Sequence, residues 1–379
     1  MSEQEPMLSM LQWLCEQLME AEVSAKIKAQ KSERTDSRQG YRSGYRVRRF
    51  DTRMGTMYLF VPKLRKGGYV PFFVTEKSRA EAAQIQVIQE AYIQGVSTRK
   101  IRKLASRLGI ESISRGQVSQ ITRESNDQVE AFRNRPLKKT YPVLWVDALY
   151  EKIRYGHRIV NMAVQVVIGM DEEGKRDILA VQPMQEESEA TYKSLFDHLK
   201  SRGVEDVWLV VSDAHKGLAK AIKESFIGCS WQRCKVHFMR NILAHLPSRE
   251  KESFASRLKQ IWLQPDYTTA MNYADSFMDE YEEKYPDAMK VLAEGLEDSL
   301  QFFHFEQIDP RKISSTNILE RLNREIRRRT SVVGVFPNQD SYIRLVTSSL
   351  MEYHEDWSIG RSYISPTILQ EIQEQRKAA

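Results

Sequence analysis

The sequence predicts an α/β protein whose mixed sheet is interrupted by an all-α insertion and preceded by a helical and hairpin N-terminal region. Three observations predict this class. Short runs rich in Val, Ile, Leu and Trp alternate with amphipathic segments between residues 141 and 234. Residues 239–300 have helical periodicity throughout and no strand signal. The chain of 379 residues is 41% apolar, which is sufficient for a large core.

The composition argues against several classes of protein. No apolar run reaches the roughly 18 residues that a membrane span needs. The N-terminus is acidic, whereas a signal peptide begins with basic residues. The three cysteines, Cys15, Cys229 and Cys234, are too few for a disulfide scaffold and suit a reducing compartment. We therefore expect a cytoplasmic protein with no membrane partner.

The N-terminal region, residues 1–79, is predicted to contain a helix and a hairpin. Residues 7–30 have helical periodicity, and the next segment alternates apolar residues with arginine around Met54-Gly55. Residues 1–140 contain 26 Lys and Arg against 15 Asp and Glu, a local net charge of +11 that suits a polyanion such as nucleic acid. An edge strand protected by charge explains the hairpin arginines about equally well. The candidate phosphate contacts here are Arg42, Arg46 and Arg48.

Residues 80–136 are predicted to form a helix-turn-helix domain. Three helical stretches are separated by Gly95-Val96-Ser97 and by residues 109–114, and Ser97 and Ser114 are suitable N-caps. Small helical hairpins also occur in proteins that never bind DNA, so both interpretations stay open. The candidate DNA contacts in this segment are Arg99, Arg115 and Gln117.

The α/β core is predicted in two parts, residues 137–238 and 311–379, separated by the helical insertion at 239–310. The first part begins with three consecutive strands and then alternates helices with strands, which indicates a mixed sheet covered by helices. Strands are predicted at 143–149, 159–169, 177–183, 207–211 and 229–234, and helices at 188–201, 215–226, 316–330 and 338–354.

Two aspartates follow or interrupt apolar strands. Asp147 lies within YPVLWVDALY, where an unpaired charge would cost several kcal/mol on an order-of-magnitude scale. It therefore reaches water at a strand end, pairs with Lys152 or Arg154, or binds a cation. Asp213 follows the strand VWLVV, at the edge where sheets of this class bind ligands, although Ser212 or Asp213 could instead cap the next helix.

The third acidic candidate, Glu320, lies in SSTNILERLNREIRRRT. It could complete a capping box opened by Asn317. Helical geometry also places Glu320 on one face with Arg324 and Arg327. That face is either a solvated set of ion pairs or a metal carboxylate beside arginines that bind phosphate.

Four blocks, WVDALY, VVSDAHKGL, QRCKVHFMRN and TNILERLNREIRRRT, together resemble the signature of the Mutator family of bacterial insertion-sequence transposases. The resemblance extends to GVSTRKI and covers roughly 300 residues. Ser43 and Ser314-Ser315 are slight departures from the family pattern. The resemblance implies a ribonuclease-H-like core in which Asp147, Asp213 and Glu320 form a DDE triad that binds Mg²⁺ or Mn²⁺. Two such ions about 4 Å apart can support phosphodiester hydrolysis and transesterification.

The resemblance also implies partners and a location. Such an enzyme binds the terminal inverted repeats of its element, exposes a 3′ hydroxyl and transfers that strand to target DNA. Assembly as a homodimer or higher oligomer follows because two ends must be brought together, and the setting is the bacterial cytoplasm at the nucleoid. The further candidate DNA contacts are Arg240, Asn241, Arg324, Arg327 and Arg328, and the candidate structural or active-site supports are Cys234, His237 and Asn317.

Alternatives to this function stay open. A transposase-derived, catalytically silent DNA-binding regulator would share the fold, and so would a nuclease or junction resolvase without strand transfer. Cys229, Cys234 and His237 could bind zinc, but a structural zinc site needs a fourth ligand.

Overall fold

The computed structural model describes residues 6–52, 55–65, 68–71, 126–184 and 186–378, together with residues 91, 93, 96, 100 and 101. The predicted contacts Arg99, Arg115 and Gln117 of the helix-turn-helix lie outside the described residues. The chain divides into two compact units, the first formed by 1–91 and 98–121 and the second by 92–97 and 122–379.

In the first unit, one helix packs on a two-stranded antiparallel sheet. Among the residues described in this unit, the elements are α1 (Pro6–Ile27), β1 (Arg42–Thr52) and β2 (Gly55–Leu64). Because side chains alternate along a strand, Met57, Leu59 and Val61 are buried with Met19 and Val23 of α1. The predicted helix and the predicted hairpin are both present.

The second unit contains a five-stranded mixed sheet. Its strands are β3 (Thr140–Tyr155), β4 (Arg158–Met170), β5 (Arg176–Met184), β6 (Asp206–Ser212) and β7 (Ser230–Arg233), in the order β5-β4-β3-β6-β7. β4 is antiparallel to both β3 and β5, whereas β6 is parallel to β3 and to β7. All five predicted strands are present, but β3 is longer than predicted because its second half forms a hairpin with β4.

Helices cover both faces of this sheet. Leu144 and Val146 of β3 pack with the helices before and after β6, whereas Val143 and Trp145 pack with helices that follow β7. Within the described residues, none of the helices has the length and apolar content needed to span a bilayer. The helices of this unit are α2 (Asn126–Asn134), α3 (Glu189–Ser201), α4 (Lys216–Ser225), α5 (Lys235–Ala244), α6 (Lys251–Leu258), α7 (Tyr267–Tyr281), α8 (Pro286–Ser299), α9 (Pro310–Ile313), α10 (Asn317–Thr330), α11 (Gln339–Ile359) and α12 (Pro366–Ala378).

The helical insertion is joined to the sheet by buried hydrogen bonds. Gln232 of β7 donates to the Ser299 carbonyl at the end of α8 (2.8 Å) and accepts from the Phe302 amide (2.8 Å). The indole of Trp262 donates to the Ser299 hydroxyl at 3.0 Å. Since these polar groups are buried with partners, they fix the insertion to β7, the edge strand next to β6, which leads into Asp213.

Candidate active site

Asp147 lies where β3 loses its parallel neighbour. The pairing of β3 with β6 ends at Val146 and Ser212, while its pairing with β4 continues. The Asp147 carboxylate accepts hydrogen bonds from the Ala148 amide (2.9 Å) and from Nδ2 of Asn323 (2.8 Å). It therefore sits at the end of the parallel pairing and not at the end of the strand, and its partner is an amide and not a nearby Lys or Arg.

Asp213 is the first residue after β6, and its side chain is 52% exposed. Its Oδ1 accepts from the Ala214 amide at 2.7 Å. The N-cap of α4 is His215, and no side chain caps that helix. The interpretation of Asp213 as a helix cap is therefore wrong, and most of its carboxylate faces solvent.

Glu320 lies in the first turn of α10. The N-cap is Thr316 without a side-chain hydrogen bond, and Asn317 is the exposed first residue of the helix, so the capping-box interpretation is wrong. Leu319 and Leu322 are buried against the core. Oε1 of Glu320 lies 3.2 Å from Nε2 of His237 and 3.3 Å from Nη1 of Arg240.

The imidazole of His237 lies between the acids. Its Nδ1 is 3.9 Å from Oδ2 of Asp213, and its other nitrogen contacts Glu320. The hydrogen bond with Cys234 raises the pKa of His237 to about 9 despite burial, and the charges of Asp213 and Asp147 add to this rise. His237 thus lies between two carboxylates, and its surroundings favour the protonated imidazole.

Burial raises the pKa of Asp147 to about 6. The charges of Asp213 and Glu320 add to this effect, whereas the Ala148 amide and His237 oppose it. The three acids therefore interact electrostatically, although they come from three separate segments of the chain. The raised pKa reflects mainly the loss of hydration around the carboxylate, to which the two neighbouring charges add.

Cys234 joins the segments that carry the acids. Its amide donates to the Ser212 carbonyl at 2.7 Å, and its thiol accepts from the amide and hydroxyl of Thr316 at 3.3 and 3.4 Å. Burial disfavours the thiolate, but hydrogen bonds from His237 and Thr316 keep the pKa of Cys234 below its ordinary value. The ends of β6, α5 and α10 are consequently held together at one residue.

The predicted DNA contacts of α5 and α10 lie at the surface. Arg324, Arg327 and Asn241 are exposed, and so is Arg328, which pairs with Glu325 at 3.1 Å. Arg240 is 61% exposed and contacts Glu320. Arg329, in the same basic run, is instead buried and pairs with Glu352 at 2.7 Å.

The hairpin arginines divide into two groups. Arg46 and Arg48 are exposed on β1. Arg42 is turned toward α1, where it lies 3.3 Å from Glu20 and donates to the Ser24 hydroxyl at 2.8 Å. Its side chain is only 12% exposed, which favours a structural role for this residue.

Sequence reasoning missed Asn323. This residue is buried one helical turn beyond Glu320 and contacts Asp147. The spacing of three residues from Glu320 was the available signal, because residues i and i+3 share a helix face.

The donor set of the three acids fits a hard divalent cation. Mg²⁺ and Mn²⁺ prefer carboxylate oxygens and water, and the exposed Asp213 leaves the site open to solvent. Among the described residues, no group of three or more His, Cys, Asp or Glu side chains is already arranged around a metal position. The cationic side chains of His237 and Arg240 contact the Glu320 carboxylate in this state.

Fold and site together define an α/β protein in which the end of a sheet strand and a later helix each place a carboxylate against one imidazole, while a third carboxylate on β3 interacts with them electrostatically. The chain belongs to the Mutator family of transposases, since the family model described as "Transposase, Mutator family" matches residues 2–360. The resemblance seen in the sequence is thereby confirmed.

Three relatives illustrate the similarity. The transposase for insertion sequence element IS256 in transposon Tn4001 of Staphylococcus aureus is 38% identical over 322 residues, covering 84% of this chain and 82% of the relative. The transposase for IS1081 of Mycobacterium tuberculosis is 39% identical over 326 residues (86% and 79%). The transposase for ISRM5 of Rhizobium meliloti is 36% identical over 332 residues (88% and 83%).

Among solved structures, the Drosophila P element transposase strand transfer complex aligns with 77% of this chain and 85% of its own, with a TM-score of 0.31 and 12% identity.

Proposed function

We propose that this protein is the transposase of a bacterial insertion sequence. It binds the terminal inverted repeats of its element, cleaves DNA to expose a 3′ hydroxyl and joins that strand to target DNA. The observation that carries this proposal is that His237 contacts both Asp213 and Glu320 and that the charges of these two acids act on Asp147, in a chain of the Mutator family.

The strand order supports a ribonuclease-H-like core. In the order β5-β4-β3-β6-β7 only β4 is reversed, and two of the three acids lie where β3 and β6 separate. The insertion follows β7, and α10 returns Glu320 to the sheet. The proposed organisation is 1–79 for the N-terminal region, 80–136 for the helix-turn-helix, 137–238 and 311–379 for the core, and 239–310 for the insertion.

Asp147, Asp213 and Glu320 are the residues that would hold Mg²⁺ or Mn²⁺. When bound, such ions would activate an oxygen nucleophile and neutralise charge on the phosphodiester. Asn323 fixes the orientation of Asp147 through its hydrogen bond of 2.8 Å. Cys234 fixes the start of α10 through Thr316, which directs Glu320 toward the sheet. His237 and Arg240 supply positive charge that offsets carboxylate repulsion.

DNA binding is assigned to two basic regions. Arg46 and Arg48 on the hairpin and the exposed arginines of α10 would contact phosphates regardless of sequence. Arg99, Arg115 and Gln117 would read the repeat from the helix-turn-helix. Two copies of the protein would hold the two ends of the element, and the enzyme would act in the cytoplasm at the nucleoid.

A cleavage assay tests the site. Purified protein with Mg²⁺ or Mn²⁺ is incubated with a labelled duplex that carries the end of its element. We expect nicking by the wild type and loss of nicking with retained binding in Asp147→Asn, Asp213→Asn and Glu320→Gln. Asp197→Asn, which removes an exposed carboxylate of α3, should cleave like the wild type.

Two results would contradict the proposal. Cleavage by all three variants at the wild-type rate would refute the acid triad. A wild-type protein that binds the element's end but does not cleave it, in Mg²⁺ or in Mn²⁺, would favour the alternative of a catalytically silent DNA-binding regulator.

A further inference from the structure

Arg233 is a partly buried cation beside the candidate active site. It ends β7 and pairs across the sheet with Ser212, the residue before Asp213. Its guanidinium lies 4.0 Å from the ring centre of Phe238. Among the described side chains, none forms an ion pair with Arg233, and its buried Nε has no hydrogen-bond acceptor.

Three carboxylates favour the positive charge of Arg233 from a distance, but none of them forms an ion pair with it. Burial lowers the pKa of Arg233, while the more distant carboxylates of Asp213, Asp298 and Glu294 oppose that change. None of these acids contacts the guanidinium. A desolvated cation without a direct partner costs free energy, and a bound anion would recover part of that cost.

Gly295 of α8 leaves the space that the guanidinium occupies. A Cβ at this position would overlap Nη1 of Arg233 and would lie 2.9 Å from Cε2 of Phe238. The side chain is thus held between an aromatic ring and the backbone of the insertion. This confinement reduces the rotamer freedom that a surface arginine would lose on binding a ligand.

We propose that Arg233 binds a phosphate of the DNA strand held beside Asp213, as a contact separate from the basic face of α10. This inference rests on the proposed function. The planar guanidinium can donate two parallel hydrogen bonds to phosphate oxygens, and its place on the strand next to Asp213 puts that phosphate near the reacting bond.

The test measures coupling between Arg233 and individual phosphates. Full-length protein is titrated with fluorescent duplexes of the element's end in which one phosphate at a time, around the cleavage position, is replaced by an uncharged methylphosphonate. At one position we expect the wild type to lose about tenfold in affinity. Arg233→Gln should lose nothing there, because its partner is already absent. Arg249→Gln, which removes an exposed arginine of the insertion, should keep the wild-type profile.

Two further variants keep the test decisive. Gly295→Ala retains every charge but displaces the guanidinium, so it should reduce the loss at the same phosphate. If Arg233→Gln does not fold, Arg233→Lys replaces it, since the ammonium keeps the charge and loses the paired hydrogen bonds.

The outcomes separate this inference from the proposed function. Wild-type protein that cleaves the element's end, together with folded Arg233 variants that lose as much affinity as the wild type at every replaced phosphate, would overturn the role of Arg233 alone. Wild-type protein that neither prefers the element's end nor cleaves it would overturn the proposed function. A loss of affinity at one phosphate near the cleavage position, shown by the wild type but not by the variants of Arg233, would support both the role of Arg233 and the proposed function.

Discussion

Asn323 is 6% exposed and donates a hydrogen bond of 2.8 Å to Asp147, while its own Oδ1 is buried without a protein partner. Because Glu320 lies one turn earlier on the same helix, this amide helps to hold the part of α10 that carries Glu320 against β3. The bond also holds a buried carboxylate that has no Lys or Arg partner. The helical pattern alone does not decide whether Asn323 faces the core or the solvent, and the hydrogen bond with Asp147 makes it part of the candidate site.

Replacing Asn323 with alanine should lower the free energy of unfolding by about 1–3 kcal/mol, because a buried acceptor of Asp147 loses its donor. Urea denaturation of the metal-free protein measures this change. Arg324→Ala, one residue later and exposed, is the control and should stay within about 0.5 kcal/mol of the wild type. Equal stability of the two variants would show that the bond contributes nothing.

Individual site residues could be predicted from the sequence where a charged residue type occurred in or beside an apolar segment. Asp147 and Asp213 could be selected because a charge beside an apolar strand requires an explanation. Arg329 could not be distinguished from its exposed neighbours, because its burial depends on Glu352, which lies 23 positions away. Arg42 was uncertain for the same reason, since its partner Glu20 belongs to another element.

At the scale of elements, strand β3 was predicted only over its buried half. Residues up to Val146 form an apolar run that has neighbouring strands on both sides. Beyond it, Tyr150 and Tyr155 are exposed and the strand pairs mainly with β4, so charged and apolar residues are mixed. The local pattern of an exposed ribbon resembles that of a loop, and only the partner strand defines its length.

The turn between β4 and β5 depends on a glycine that touches another segment. Gly174 has φ +70°, and a Cβ there would overlap the Ile364 carbonyl oxygen. Gly228 has a similar φ of +77° but open space around it. Both alanine variants should show backbone strain, and Gly174→Ala should be destabilised by about 2 kcal/mol more. Urea unfolding of the two proteins separates the steric clash from the strain, and equal losses would exclude a role for the contact.

Asp177 of β5 holds three elements together. Its carboxylate accepts from Arg135 at 2.5 Å and from the Tyr141 hydroxyl at 3.1 Å, and it lies 2.9 Å from Nδ1 of His354 on α11. Burial raises the pKa of Asp177, but the interactions with His354, Arg135 and Tyr141 outweigh that effect, so the net pKa is below its ordinary value of 3.8.

A depressed pKa in the folded state stabilises the protein only while the group is ionised. The contribution of Asp177 is therefore fully present above about pH 4 and is lost as the pH falls through the folded-state pKa. Between pH 7 and pH 3, the wild type should lose more unfolding free energy than Asp177→Asn, by up to about 1 kcal/mol. Chemical denaturation at several pH values measures this difference. The exposed Asp197→Asn should follow the wild type, and parallel pH profiles for all three proteins would contradict the assignment.

At the scale of the whole molecule, the insertion and the sheet behave as parts of one compact unit. The hydrogen bonds that Gln232 donates to the Ser299 carbonyl and accepts from the Phe302 amide cross from β7 into the helices and are buried. Helical periodicity predicted the insertion itself, but its attachment could not be predicted, because nothing in the sequence around Gln232 indicates that its hydrogen-bond partners lie about 70 positions later.

Gln232→Leu should leave a buried carbonyl and a buried amide unpaired and lower the global stability by about 2 kcal/mol or more. In the wild type, hydrogen exchange of β6 and α8 should give the same opening free energy, since the two belong to one cooperative unit. In Gln232→Leu, exchange in α8 should become faster than in β6. Gln264→Leu, which removes only a local bond to the Gln260 carbonyl, is the control. Unequal opening in the wild type would contradict cooperative attachment of the insertion.

Asp147 and Asn323 are separated by 176 positions, and the whole helical insertion lies between them. A ribosome reading the message therefore releases the hairpin and β3 well before it releases α10. A nascent or prematurely terminated chain has Asp147 without the amide that orients it and without Glu320. The candidate active site is complete only when translation has passed α10. The proposed DNA cleavage activity can therefore arise only late in the synthesis of the chain.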